Sequence, residues 1–271
     1  MHDCKDAGVS ATQDAVAEEH SDEAISMYLT PQQEIASLCS HEEINRGLFA
    51  VLKIDRRRLA PLFARLLRTW GPQHWWPGET PFEVMVGAVL TQNTAWTNVE
   101  KAITNLVARD WLDADRIVGL RRRDLARCLK PSGYFNVKAE RLQAFCRWYR
   151  QAGGYPALAR LPTVELREAL LAVKGVGPET ADDMLLYAFD RPVFVVDAYT
   201  RRLFSRFGLC EGDEPYEQLR RAVEAAMGPD VEVFNELHAL IVRHAKEVCR
   251  MRPRCADCVL AARCPSAAAA G

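Results

Sequence analysis

Lys174-Gly175-Val176-Gly177-Pro178-Glu179-Thr180-Ala181 is the stretch on which the fold turns. A helical pattern precedes it over about 164–173, with Leu166, Ala169, Leu170 and Val173 inward, and Gly175 is placed to end that helix. A second helix opens at Pro178 and buries Ala181, Met184, Leu185, Ala188 and Phe189 until Pro192 stops it. The two glycines let the backbone approach a partner closely. The second helix also starts with unpaired N–H groups and the positive end of its dipole, a cradle suited to phosphate. A plain corner between two helices needs the same glycines, so G-x-G alone does not separate the two readings.

The flanking sequence is helical as well. Thr80-Pro81-Phe82-Glu83 reads as a capping box with proline at the first helical position, and the helix after it puts Phe82, Met85, Val86, Val89 and Leu90 on one face. Thr97 and Glu100 read as caps of the next helix, whose buried stripe is Val99, Ala102, Ile103 and Leu106. Val193-Phe194-Val195-Val196 is the one strand-like run; with no partner strand it reads as an extended connector. The expected fold is all-α. The connector delivers Asp197 to the start of an amphipathic helix bearing Arg201, Arg202, Leu203 and Phe204. Spacing alone makes Asp197 a helix cap. A carboxylate held there also stays ionised and can face developing positive charge.

Near the C-terminus Cys249, Cys255, Cys258 and Cys264 form a C-x5-C-x2-C-x5-C run. Four thiols within sixteen residues point to a metal. A structural zinc site usually draws on two close cysteine pairs, and only one C-x-x-C is present. Iron–sulfur clusters accept wider, uneven loops, so the spacing favours a [4Fe–4S] cluster over zinc, with a disulfide pair third. Arg250, Arg252 and Arg254 fill the loop and read either as phosphate contacts or as a solvated basic turn.

The length of 271 residues suits one large domain or two modest ones. The net charge of −1 is uneven: residues 1–45 carry a net of −9, which leaves +8 on residues 46–271, as befits a phosphate-binding protein. The longest apolar run, Val84–Leu90, is far too short to span a membrane. No secretory signal is evident, and nine cysteines suit a reducing compartment. Residues 1–40 read as a disordered acidic leader and 265–271 as a tail.

The glycine hairpin, the Val-Val-Asp about twenty residues on and the four-cysteine loop together resemble the helix-hairpin-helix DNA glycosylases of the endonuclease III superfamily, over about residues 45–264. The resemblance implies two helical domains. A six-helix barrel with the hairpin would span 80–197, and a cluster domain would combine 41–79 with 198–264. It assigns the DNA backbone grip to Gly175, Val176 and Gly177, base release to Asp197, and a [4Fe–4S] cluster to the four cysteines. The family's first cysteine gap is usually one residue longer, so this loop is expected to be shaped differently. Gln92 and Asn93 are candidates to fill the hole left by a flipped base.

Two departures narrow the expectation. The family's bifunctional members carry a Schiff-base lysine two residues after the second hairpin glycine, where this chain has Glu179, and a carboxylate forms no imine. His74-Trp75-Trp76-Pro77, Trp96, the Leu90–Thr94 turn and Lys130-Pro131-Ser132-Gly133-Tyr134 are similar to the 3-methyladenine glycosylase branch. Trp75, Trp76, Pro77, Trp96 and Glu179 would then line the base pocket, and Lys246 would stand in the active site or contact phosphate. The expected activity is monofunctional excision of alkylated purines from double-stranded DNA, by a monomer in the bacterial cytoplasm, at the nucleoid during repair. An endonuclease III-type glycosylase/AP lyase acting on oxidised pyrimidines, with Lys174 as substitute amine, is the enzymatic alternative. A non-catalytic iron–sulfur DNA-binding protein is the other, and the intact Asp197 argues against it.

Overall fold

The computed structural model describes residues 52–76 and 78–269, and every described element is helical. The acidic leader and Pro77 lie outside the described residues. The chain divides into two compact units: His74–Val195 forms one, and the segment ending at Gln73 joins the segment from Val196 onward to form the other.

The His74–Val195 unit holds eight of the helices. They are α2 (Pro81–Thr91), α3 (Trp96–Val107), α4 (Ala114–Gly119), α5 (Arg122–Cys128), α6 (Phe135–Gln151), the single turn α7 (Gly154–Leu158), α8 (Thr163–Leu171) and α9 (Pro178–Tyr187). Helix α2 is its centre and packs against α3, α6 and α9. It therefore buries every residue from Val84 to Leu90, where one-sided spacing had suggested a single inward face, and Phe82 is only half-buried. Thr80 caps α2 through its Oγ1, which accepts from Glu83 N at 3.2 Å. The return bond runs from Glu79 N to Glu83 Oε2 at 3.3 Å, one residue earlier than in a standard capping box.

Helix α3 buries the expected stripe of Val99, Ala102, Ile103 and Leu106, but it begins one residue before Thr97. Ala95 is its cap residue and gives no side-chain cap bond. Glu100 instead accepts from Trp96 Nε1 at 2.8 Å, so an indole occupies the carboxylate that the sequence offered to the helix start. Helix α9 stops at Tyr187, ahead of Pro192, because Asp190 adopts φ 51° and Arg191 N closes back on Leu185 O at 2.8 Å. Val193–Val196 has no regular secondary structure, as expected of a connector, and is buried.

The other unit contains α1 (Arg56–Trp70), α10 (Ala198–Phe207), α11 (Tyr216–Met227), α12 (Val231–Glu247) and α13 (Pro265–Ala268). Helix α12 packs on α1 and α10, and α1 also packs on α11. Asp230 caps α12 by accepting from Val233 N at 2.9 Å. Residues 265–268, the start of the expected tail, are helical and pack on α10.

The caps give a contrast measurable by chemical denaturation. Thr80→Ala is expected to destabilise the protein by about 1 kcal/mol, since a real cap bond is lost. Thr97→Ala should stay within about 0.5 kcal/mol. A loss at Thr97 equal to that at Thr80 would move the start of α3.

Candidate functional site

Helices α8 and α9 form the hairpin, joined by the turn 172–177. Its two glycines do different work. Gly175 lies at φ +90°, and a Cβ there would come within 2.4 Å of Arg141 Cγ. Gly177 has an ordinary extended backbone and open space around the position of a Cβ. The Val176 side chain is buried and its N–H is taken by Val173 O at 3.0 Å. The two arms are tied by a bidentate ion pair: Arg167 Nε and Nη2 donate to the carboxylate of fully buried Asp182 at 2.7 and 3.0 Å.

From the C-terminal end of α2, Gln92 reaches the hairpin. Its Nε2 donates to Gly175 O and to Thr180 Oγ1, both at 3.0 Å, and its Oε1 accepts from Arg141. Asn93 is exposed, at φ 54°. Glu179 is exposed in the first turn of α9. Lys174 is exposed and salt-bridged to Glu140 at 2.7 Å. The Lys130–Tyr134 motif is a tight turn over a buried lysine, Lys138, that spacing did not mark. Lys138 Nζ donates to Ser132 O at 2.6 Å, and burial pulls its amine down to about 8. Tyr134 lies in this turn at φ 44° and is 72 % exposed.

The same unit gathers Trp75, Trp76 and Trp96, together with Tyr187 from the end of α9. Trp75 and Trp76 stack with centroids 5.7 Å apart, Trp96 meets Trp76 edge-on at 5.0 Å, and Tyr187 lies 5.1 Å from Trp76. Gly87 of α2 makes room for this: a Cβ there would stand 3.2 Å from the Trp96 ring and 3.4 Å from that of Trp76. Trp76 Nε1 is buried with no hydrogen-bond partner among the described residues. Helical spacing marked neither Tyr187 nor Gly87, because the cluster is assembled from segments far apart in sequence.

In the second unit Asp197 is the N-cap of α10. Its Oδ1 accepts from Thr200 N at 2.7 Å, and His238 Nε2 of α12 lies 3.6 Å from Oδ2. Its side chain is 13 % exposed. Burial alone would raise its carboxyl pKa, but the His238 imidazole and the Thr200 N–H outweigh burial, and the net shift is downward. Lys246 stands over the Tyr199 ring, 5.6 Å from its centroid, and Arg202 lies at 5.1 Å from the same ring. Desolvation lowers the Lys246 amine against the pull of the Asp197 and Glu247 charges.

All four cysteines of the C-terminal run line one cavity, walled by Leu203, Phe207, Val248 and Leu260. Among the described residues, no three His, Cys, Asp or Glu side chains converge as they would round a single metal ion. The donor set and its apolar walls nevertheless suit a group ligated by several thiolates. A buried anionic site also needs cationic and N–H partners, and they are present. Arg206 Nη1 lies 3.4 Å from Cys249 Sγ, and His244 Nε2 lies 3.5 Å from Cys258 Sγ. Arg202 and Arg206 hold the loop backbone through the carbonyls of Ala245, Cys249, Arg250 and Met251. Arg250, Arg252 and Arg254 are exposed. Sequence spacing marked Arg202 as part of an amphipathic face but gave no sign of Arg206 as a sulfur contact.

A hairpin tied by a buried ion pair, an aromatic cluster and a helix-capping aspartate followed by a four-cysteine loop define a class of DNA repair protein. The chain belongs to the HhH-GPD superfamily of base excision DNA repair proteins, whose family pattern matches residues 86–229. It is 42% identical over 208 residues to a chain of Methanocaldococcus jannaschii provisionally named a DNA repair glycosylase, covering 76% of this chain and 94% of that one. It is 31% identical to endonuclease III of Synechocystis sp., over 70% of this chain and 84% of that protein. Among solved structures it is similar to the H. pylori 3-methyladenine DNA glycosylase (MagIII) bound to 1,N6-ethenoadenine, with 30% identity and a TM-score of 0.59, covering 70% of this chain and 95% of that one.

The two hairpin glycines should separate on substitution. Gly175→Ala forces a side chain into a left-handed backbone and against Arg141, and is expected to lower stability by about 1–3 kcal/mol. Gly177→Ala should change it by less than about 0.5 kcal/mol. Urea midpoints for the two variants check this, and equal losses would refute the distinction.

Proposed function

We propose that this chain is a monofunctional DNA glycosylase that binds double-stranded DNA containing a damaged base and removes alkylated purines such as 3-methyladenine. The observation that carries the reading is the aromatic cluster of Trp75, Trp76, Trp96 and Tyr187. A purine alkylated at N3 is cationic. It is attracted to an indole face by about 0.5–2 kcal/mol and needs stacking more than protonation. An acceptor on the base edge would satisfy the buried Trp76 Nε1–H. The similarity to a 3-methyladenine glycosylase over most of the chain supports this choice.

The chemistry asks for one bond to break and one to form. The flipped nucleotide loses its base as the electron pair of the glycosidic bond leaves with the purine, neutralising the purine's charge, and positive charge builds on the sugar. Asp197, kept ionised by Thr200 N–H and His238, stabilises that charge and takes a proton from the water that adds at C1′. Lys246, Glu179 and Trp75 are proposed to contact the substrate. Gly175 and Gly177 are assigned to the DNA phosphates, as are Arg250, Arg252 and Arg254; Val176, whose N–H is spent on Val173 O, anchors the turn between the two glycines. Tyr134 offers an exposed ring for base stacking, with Gln92 and Asn93 near the hairpin. Cys249, Cys255, Cys258 and Cys264 would hold a [4Fe–4S] cluster, which cross-links the loop and supplies a one-electron redox centre when bound.

The 31% identity to an endonuclease III supports a second reading, a glycosylase with AP lyase activity. The two differ in product. Duplexes carrying one defined lesion each should yield abasic DNA that is nicked only after alkali, with little borohydride trapping, and 3-methyladenine should be preferred over oxidised pyrimidines. Little trapping is expected because Glu179 has no nucleophilic nitrogen and Lys174 is paired with Glu140; efficient trapping without alkali would overturn the monofunctional reading in favour of the second. In single-turnover assays, Asp197→Asn should lose base release by at least about 100-fold while DNA affinity stays similar. A near wild-type rate would leave Asp197 as a helix cap alone.

A further inference from the structure

The sulfur of Cys258 has a neighbour unlike those of Cys249 and Cys264. Cys249 is met by a guanidinium, and Cys264 Sγ lies 3.2 Å from Arg206 O. Cys258 Sγ faces His244 Nε2 at 3.5 Å, and His244 has no solvent exposure. On the opposite edge of that imidazole, Trp70 Nε1 donates to Nδ1 at 3.4 Å, with the rings edge-on at 63° and 6.2 Å between centroids. An indole N–H can only donate, so Nδ1 must present its lone pair. The ring's one proton then sits on Nε2, aimed at the cysteine sulfur. The Arg243 guanidinium lies over the Trp70 ring, 5.3 Å from its centroid, and polarises the donor. Trp70 ends α1 and His244 lies in the last turn of α12, so the packing of these two helices sets the tautomer.

We infer that Trp70 and His244 form a fixed N–H relay that donates one hydrogen bond to the Cys258 sulfur and tunes the redox potential of the cluster held by the four cysteines. The inference rests on the cluster reading given under the proposed function. An N–H donor stabilises negative charge on a ligating thiolate, and it does so more strongly in the reduced state. The relay therefore holds the potential above the value the same cluster would have without it. The electron comes from or goes to an external partner, an electrode in the test. No bond to a cysteine forms or breaks, and Nε2 keeps its proton in both states. Trp70 and His244 are thus positioning residues with no contact to DNA implied.

The test uses the full chain with its cluster and reads three quantities: iron content, potential by voltammetry, and the Fe–S(Cys) stretching band by resonance Raman. His244→Leu removes the donor and should shift the potential to more negative values and the band to higher frequency. Trp70→Phe releases the tautomer and should move both in the same direction by less. His244→Gln can accept from Trp70 through Oε1 and donate through Nε2, so it should stay near wild type. Where His244→Leu fails to fold, Trp70→Phe decides. Where no reversible couple is seen, the Raman band decides. Variants that hold wild-type iron with unchanged potential and band would overturn the relay alone. A wild-type protein without iron would overturn the cluster reading and the relay with it.

Discussion

The ion pair between Arg167 and Asp182 is the constraint on which the hairpin unit depends. Asp182 is fully buried, and a carboxylate there persists in charged form only if a cation and its N–H groups meet it. Arg167 meets it bidentately, with its own side chain 16% exposed. A two-pronged contact fixes orientation as well as distance, so α8 and α9 cross in one way. That crossing leaves six residues to reverse the chain, and Gly175 takes the one conformation among them that a side chain would oppose. Gln92 then locks the turn to the end of α2, the helix on which α3, α6 and α9 pack. The exposed parts of the turn are in this way held by buried ones.

A similar economy governs the other unit. Asp197 ends a buried extended run and starts α10, so a single carboxylate serves as cap and as candidate catalytic group. Desolvation would neutralise it. A buried histidine and Thr200 reverse that tendency. Helix α12 supplies that histidine and also His244, which faces the cysteine loop. The arginines of α10 complete the arrangement by binding loop carbonyls that the irregular backbone of residues 248–254 leaves without helical partners.

Much of this was legible in the chain. Local signals suffice where the physics is local. Apolar residues at helical spacing, Thr80 before Pro81, and the paired glycines gave the all-α class, the position of α2 and α8–α9, and the existence of the hairpin. The four cysteines announced themselves by proximity in sequence, as did Asp197 by its place between a connector and a helix. The errors were local too. Thr97 looked like a cap by type, yet Ala95 holds that position, because Trp96 is drawn into the aromatic cluster and begins the helix early. Pro192 looked like the stop of α9, but Asp190 ends it first through a left-handed turn that composition does not mark.

Tertiary structure alone decided the pairings. Arg167 with Asp182, Trp70 with His244, His238 with Asp197 and Gly87 with the tryptophans bring together residues separated by 9 to 174 positions, at no recurring period. Periodicity reports which face of a helix is apolar, and nothing about which other helix will cover it. The division of labour between Gly175 and Gly177 was likewise invisible, since both are glycine and only one stands in a left-handed backbone against a neighbour. The sequence by itself determined the class of fold and the chemical types at its sites, because these follow from residue identity and short-range spacing. The tertiary structure decided which groups meet, since partner choice in a packed interior depends on shape and distance between segments remote along the chain.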